Sequence, residues 1–273
     1  MPTAVSASAF GYAGINAALF DGALKNRIAF TISDTRRASF GSATATPSLF
    51  KGRSERFEYQ GDATITTGLR AVFGVEHENS RFDNGTTTVS TGVTSGYAQL
   101  IANPADALTL TGGVRIDSHR TYGTKATVSA NAAWRLGSGT IVRASYGEGF
   151  KAPTLFQLFS NFGNTALKPE TAQSYDLGIE QSLVEGTLKI GATLFHRDTT
   201  NQIDFFSCFG VTAPVCASRP NGVYDNIART RAQGVETFVE LRPSRTLVLN
   251  ANYTLTDAKN RLTGTDLLRR PRH

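Results

Sequence analysis

What most constrains the fold of this chain is an alternation of apolar and polar residues whose connectors are by turns very short and long. From Thr246 to Thr256, Leu247, Leu249, Ala251, Tyr253 and Leu255 fall at one parity. Thr246, Asn250, Asn252, Thr254 and Thr256 fall at the other, with Val248 the one exception. Successive strand side chains point to opposite sides, so the segment has one oily and one wet face. Leu108 to Asp117 repeats the pattern: Leu108, Leu110, Val114 and Ile116 oppose Thr109, Thr111, Arg115 and Asp117. In Thr64 to Glu76, the residues Ile65, Leu69, Ala71, Phe73 and Val75 share a face, and Tyr175, Leu177 and Ile179 oppose Asp176 and Glu180.

A soluble antiparallel sheet also has one oily face. Two features point instead to strands that cross a bilayer. The alternating stretches run to about ten residues, as a tilted membrane strand requires, against about 5–6 in soluble sheets. The wet faces also carry Arg70, Arg115 and Arg143 in mid-strand, which suits an aqueous lumen.

The connectors fall into two classes. Asp21-Gly22, Gly61-Asp62, Asn103-Pro104-Ala105-Asp106, Gly137-Ser138-Gly139, Glu185-Gly186 and Arg242-Pro243-Ser244-Arg245 read as tight turns, since Gly, Asn, Asp and Pro supply the backbone angles they need. Between them lie longer polar stretches: Thr35 to Arg53, Asn79 to Gly92, Ser118 to Thr124, Gly149 to Glu170 and Asn201 to Tyr224. A barrel with short turns at one rim and long loops at the other gives this order; a Greek-key sandwich has no reason to.

The expectation is therefore an all-β, antiparallel transmembrane β-barrel of about twelve strands, incomplete as a barrel. The spans expected are 10–20, 24–34, 54–60, 63–77, 93–102, 107–117, 125–135, 140–148, 171–182, 188–200, 225–241 and 246–258, the third being weakly marked. Pro153 to Phe159 reads as a short helical turn inside its loop.

Composition narrows the function. The 273 residues suit one large β domain. Lys and Arg total 28 against 22 acids, for a net charge of +6, but the basic residues are scattered and no nucleic-acid motif appears, so no nucleic-acid partner is expected. A mean hydropathy of -0.19 fits a barrel as well as a soluble protein, because half of each strand faces water. Met1 to Phe10 lacks the basic start and apolar stretch of a signal peptide. An exported protein needs one, so the chain reads as a fragment.

No catalytic constellation stands out, and the chain does not read as an enzyme. His77, His119, His196 and His273 are scattered without an i, i+4 pair. His77 lies between Glu76 and Glu78, but alternation turns both acids away from its ring; it reads as a rim or loop histidine. Gly147-Glu148-Gly149 lacks the context of a phosphate loop, and Asp83-Asn84-Gly85 lacks calcium's oxygen ligands. No metal and no cofactor are expected. The two cysteines, Cys208 and Cys216, lie close together in one long loop. In an oxidising compartment such a pair reads as a local disulfide, two unpaired thiols being the other reading.

A more specific run begins at Tyr146. Tyr146-Gly147-Glu148-Gly149-Phe150-Lys151-Ala152-Pro153-Thr154-Leu155 is followed by Ala166-Leu167-Lys168-Pro169-Glu170-Thr171 and Tyr175-Asp176-Leu177-Gly178-Ile179-Glu180. Together with Arg231-Ala232-Gln233-Gly234-Val235-Glu236 and the stretch from Asn252 to His273, these runs resemble the barrel region of TonB-dependent outer-membrane receptors. Gly113-Val114-Arg115-Ile116-Asp117 adds a weaker match, and the last stretch most resembles the family's cobalamin receptors. The resemblance implies a barrel of about 22 strands with a plugged lumen in the bacterial outer membrane. Of that, this chain (1–273) holds a partial barrel with no plug domain, so TonB would reach it only through a plug missing here.

The function implied is active uptake of a scarce nutrient, a ferric siderophore or cobalamin, in contact with outer-membrane lipid. The loop candidates for ligand contact are Phe156, Phe159, Phe162, Phe205, Phe206, Phe209 and Tyr224. They stand ready to stack on a planar ligand or, on the plainer reading, to pack the loops. A passive porin-like channel and a soluble β-sheet binding or structural protein are the rival classes.

Overall fold

The computed structural model describes residues 3–40, 47–217, 219 and 221–267. They form one meandering antiparallel sheet of twelve strands, each paired with its neighbours in chain order. The strands are β1 (Thr3–Leu19), β2 (Leu24–Phe40), β3 (Ser48–Thr66), β4 (Leu69–Asp83), β5 (Thr88–Ala105) and β6 (Leu108–His119). They continue as β7 (Gly123–Leu136), β8 (Thr140–Lys151), β9 (Glu170–Leu183), β10 (Leu188–Phe206), β11 (Val223–Ser244) and β12 (Leu247–Asn260). Among the described residues one α-helix, α1 (Leu155–Phe159), stands in the loop between β8 and β9. Among the described residues no pairing joins β1 to β12, so the sheet is open.

The alternation sets the two faces. Tracing direct partners across the sheet, Ile28, Tyr59, Val75, Gly96 and Ile116 form one continuous row on the same side. Large apolar residues of that face stand open: Phe57 is 50% exposed, Leu177 55% and Leu194 59%. In a soluble protein so wide an oily face would be covered; here it has the form of a surface for lipid chains. The few buried apolar residues are not a sheet core. Leu158, Leu167 and Ile203 cluster where the β8–β9 loop lies against the end of β10.

The strands are longer than expected, 12 to 22 residues. The long connectors shrink accordingly. β2 continues to Phe40 and β3 begins at Ser48, so much of the expected Thr35 to Arg53 loop is strand. The loop expected between Asn79 and Gly92 is a tight reversal after Asp83. A membrane strand needs only about 9–11 residues, so the surplus carries the sheet beyond the bilayer as a wall with polar residues on both faces.

One turn was misplaced. Gly61-Asp62 is not a turn: both residues lie inside β3, and the reversal falls at Thr67-Gly68. The expected strands 54–60 and 63–77 are therefore redrawn. Gly61 sits directly opposite Phe73, whose ring lies across it; a Cβ at Gly61 would meet that ring at 2.5 Å. The glycine makes room for a cross-strand aromatic and does not turn the chain. The other five short connectors fall at reversals, although Pro104 and Pro243 belong to strand ends. The helical turn expected at Pro153 to Phe159 is α1, capped by Thr154, whose hydroxyl accepts from the Gln157 amide at 3.2 Å.

Candidate ligand site at the outer mouth

The loop from Ala152 to Pro169 folds onto the polar face of the sheet at the end bearing the long loops. It is tied at two distant places. Asn84, in the β4–β5 reversal, donates to the Phe159 carbonyl at 3.2 Å. Across the sheet, the Tyr224 amide donates to the Phe162 carbonyl at 2.9 Å, and Asn164 returns a bond to the Tyr224 carbonyl at 3.1 Å. Asn226 accepts from the Lys168 amide and donates to the Lys168 and Asn201 carbonyls, at 2.9, 3.0 and 2.7 Å. The loop thus spans the concave side from β4 to β11.

These ties line up a chain of aromatic rings. Phe50 and Phe82 stack at 6.2 Å, and Phe156 meets both edge-on, at 5.4 and 6.0 Å. Tyr224 follows Phe156 at 6.1 Å, Phe205 follows Tyr224 at 5.6 Å, and Phe162 meets Phe205 at 5.5 Å. Four of the seven candidates, Phe156, Phe162, Phe205 and Tyr224, come together here. Phe159 packs instead on the small core of Leu158, Leu167 and Ile203. Phe206 and Phe209 stay outside the chain of rings, and Phe209 is 88% exposed.

Phe50 and Phe82 were missed because both fell in presumed loops. The alternation that places Glu76, Glu78 and Ser80 on the wet face of β4 runs on to Phe82. An aromatic at a wet position of a strand was the available signal.

Beside the rings lies a cavity of about 430 Å³ with two kinds of wall. Pro153, Leu155, Phe156 and Phe82 form the apolar side, and Ser33, Ser54, Glu78 and Ser80 the polar one. His119 closes one corner: its Nε2 lies 3.3 Å from the Thr91 hydroxyl, and its Nδ1 accepts from the amides of Thr121 and Tyr122 at 3.1 and 3.3 Å. Burial, with the Arg120 charge adding to it, lowers the pKa of this imidazole.

Cys208 and Cys216 are joined in a disulfide that closes the β10–β11 loop. Phe209, the residue after Cys208, lies within that ring. Further down the wet face, Glu76 holds Arg56 and Arg115 together, and Arg115 also donates to Asp117 at 2.8 Å. Asp62 pairs with Arg70, and Glu180 accepts from Arg143 at 2.9 Å. The three mid-strand arginines read from the sequence therefore all face the lumen with carboxylate partners. His77 lies on the opposite face, bonded to Thr94 at 2.8 Å, and Glu76 points away from it. Among the described residues no cluster of His, Cys, Asp or Glu has the form of a metal site. The stretch 268–273, with His273, and the start of the chain at Met1 and Pro2 lie outside the described residues.

A meandering antiparallel sheet with a greasy outer face, an ion-paired inner face, short turns at one rim and a long loop folded over the other has the form of an outer-membrane β-barrel. Residues 6–273 match the family model described as TonB dependent receptor-like, beta-barrel, and the chain belongs to that family.

The iron-regulated outer membrane virulence protein of Vibrio cholerae is 26% identical over 227 residues, covering 74% of this chain and 34% of that protein. Among solved structures, the siderophore receptor PirA of Pseudomonas aeruginosa superposes with a TM-score of 0.80 at 19% identity, over 95% of this chain and 51% of the other. A ferric enterobactin receptor (PfeA) mutant from the same organism, in complex with enterobactin, also gives 0.80 at 19% identity, over 96% and 45%. The chain thus spans about a third of the curated relative and about half of the solved receptors. The protein is one of the bacterial outer membrane.

Proposed function

We propose that this sheet is part of the barrel of a receptor that takes up a ferric siderophore, with the ring chain at its outer mouth as part of the ligand-contacting wall. The observation that carries the reading is the alignment of Phe50, Phe82, Phe156, Tyr224, Phe205 and Phe162 on the lumen side beside a half-polar cavity. Aromatic faces accept planar chelating groups by stacking, and rings already packed on one another lose little freedom on binding. Support for a siderophore over cobalamin comes from the similar proteins, which are iron-regulated or siderophore receptors by name. On this reading the energy comes through TonB acting on a plug domain within the same lumen. The loop strapped over the mouth argues against an open passive pore.

The test uses cells lacking their own siderophore and cobalamin receptors, supplied with the complete receptor that carries this barrel. Uptake of a panel of radiolabelled ferric siderophores and of cobalamin is measured under iron starvation. Uptake of at least one ferric siderophore is expected, with Phe156→Ala/Tyr224→Ala raising its half-saturation concentration about tenfold, on the order of 1.4 kcal/mol. Uptake of cobalamin alone, or wild-type affinity in the double variant, overturns the assignment.

A further inference from the structure

The cavity beside the ring chain is unevenly charged. Among the described residues that line it, Glu78 is the one carboxylate. Arg53 and Arg81 also border it, but they lie at the parity of Phe57 and Val75, so their side chains stand on the outward face of the sheet. Arg53 is engaged there with Glu55, at 2.8 Å. Arg37 of β2 has inward parity, but it lies opposite Phe50. That is six residues past the register of Glu78, or about 20 Å along the strands at about 3.3 Å per residue. The other polar side chains around Glu78 are hydroxyls, those of Ser33, Ser54, Ser80 and Thr91, and the His119 ring. His119 accepts two amides on Nδ1, a pattern that leaves the ring without positive charge.

Register supplies Glu78 with a cation that then turns away from it. Arg56 lies directly opposite Glu78 on β3. Its Nη2 bonds Glu76 instead, and its Nε stands 3.7 Å from Glu58. Below the cavity the charges close among themselves. Arg27 pairs with Glu58 at 3.0 Å, and Arg115 pairs with Glu76 and, at 2.8 Å, with Asp117. Arg27, Arg56 and Arg115 thus match Glu58, Glu76 and Asp117 one for one. Glu78 is the carboxylate left over. It accepts from the Ser80 hydroxyl at 3.1 Å and makes no ion pair among the described residues.

We propose that Glu78 is a specificity-determining residue of this cavity and selects ferric complexes without net negative charge, of the tris-hydroxamate kind, against tris-catecholate trianions. The inference rests on the siderophore reading and narrows its substrate class. Three hydroxamates neutralise ferric iron, whereas three catecholates overshoot it and leave three negative charges. Each unit of like charge within about 10 Å costs several-fold in affinity at a dielectric constant between those of protein and water. A trianion seated on the rings beside Glu78 meets that cost three times over. A neutral complex escapes it and offers its oxygens to the surrounding hydroxyls. A pendant ammonium group takes the place of the cation that Glu78 lacks. The arginines of the outward face stand across the sheet in water, where ions screen them from the cavity.

The test uses the complete receptor, purified in neutral detergent. Binding of two probes is titrated by quenching of protein fluorescence: ferrioxamine B, a ferric tris-hydroxamate with a pendant amine, and ferric enterobactin, a tris-catecholate trianion. The wild-type protein is expected to bind ferrioxamine B at least tenfold more tightly. Glu78→Gln is expected to narrow that ratio at least tenfold, chiefly by tightening ferric enterobactin, and Glu78→Asp to keep the wild-type order. A residue with a merely structural role would weaken both probes alike, and that result in Glu78→Gln overturns the proposal. Tighter binding of ferric enterobactin by the wild-type protein overturns it too, while leaving the siderophore reading intact. Binding of neither probe also overturns it, and the siderophore reading then stands or falls on the uptake panel.

Discussion

Single residues in this sheet act mostly through what stands directly across the ladder. Gly191 faces Phe238 across β10 and β11, and a Cβ there would meet the ring at 2.2 Å. The ring lies over the backbone of Gly191, so a side chain there would have to push it off its seat. Gly191→Val is expected to destabilise the folded barrel by roughly 1–3 kcal/mol, as overpacking does, lowering the midpoint of urea unfolding in detergent. A midpoint equal to that of the wild type contradicts the seating. The same logic explains Gly61: its meaning lies in Phe73, twelve residues away in sequence and adjacent in space. Read locally, Gly61-Asp62 has the composition of a turn, and nothing in the neighbouring residues says otherwise.

At the scale of an element, the β6–β7 turn depends on one uncharged ring. His119 accepts two backbone amides on Nδ1 and leaves Nε2 to Thr91, an arrangement available only to the neutral form. Its pKa is lowered on folding, chiefly by burial. The unfolded turn therefore binds the proton more readily than the folded one, and stability rises with pH. The contribution is whole above the unfolded value of about 6.5. It declines as pH falls below that value. Amides of Thr121 and Tyr122 should exchange with solvent faster at pH 5 than at pH 7.5, after correction for intrinsic rates. His119→Gln should remove the difference, and an unchanged pH response in that variant refutes the mechanism.

At the scale of the whole molecule, β1 and most of β12 have one side without a strand partner among the described residues, and only the end of β12, at Ala258 to Asn260, bonds back to residues 265–267. β1, and β12 before Ala258, each present a row of backbone groups that the other strands have satisfied. Such groups cost several kcal/mol each in hydrocarbon. When the 273-residue chain is refolded alone in detergent, the outward-edge amides of β1 and β12 are expected to exchange orders of magnitude faster than those of β4 to β9. Protection of both edges equal to that of the central strands would show that the chain closes on itself. The loop from Ala152 to Pro169 belongs to this scale too. By joining Asn84 to Tyr224 and Asn226, it bridges strands that the open meander places far apart.

Alternation alone determined the number of strands, their order, which face meets lipid and which arginines line the lumen, because those follow from a period of two and a bilayer on one side. The cysteine pairing and the helix at Leu155 were also legible, since both are set by nearby residues. Tertiary structure decided the rest. Strand ends beyond the bilayer carry polar residues on both faces, so the alternation fades where Phe50 and Phe82 enter the ring chain. Which loop aromatics meet depends on where the Asn84 and Asn226 ties fold the loop, a matter of contacts between strands distant in the chain. Glu78 is left uncompensated because Arg56, the arginine opposite it in register, bonds Glu76 instead, and no local pattern encodes which of the two carboxylates it takes.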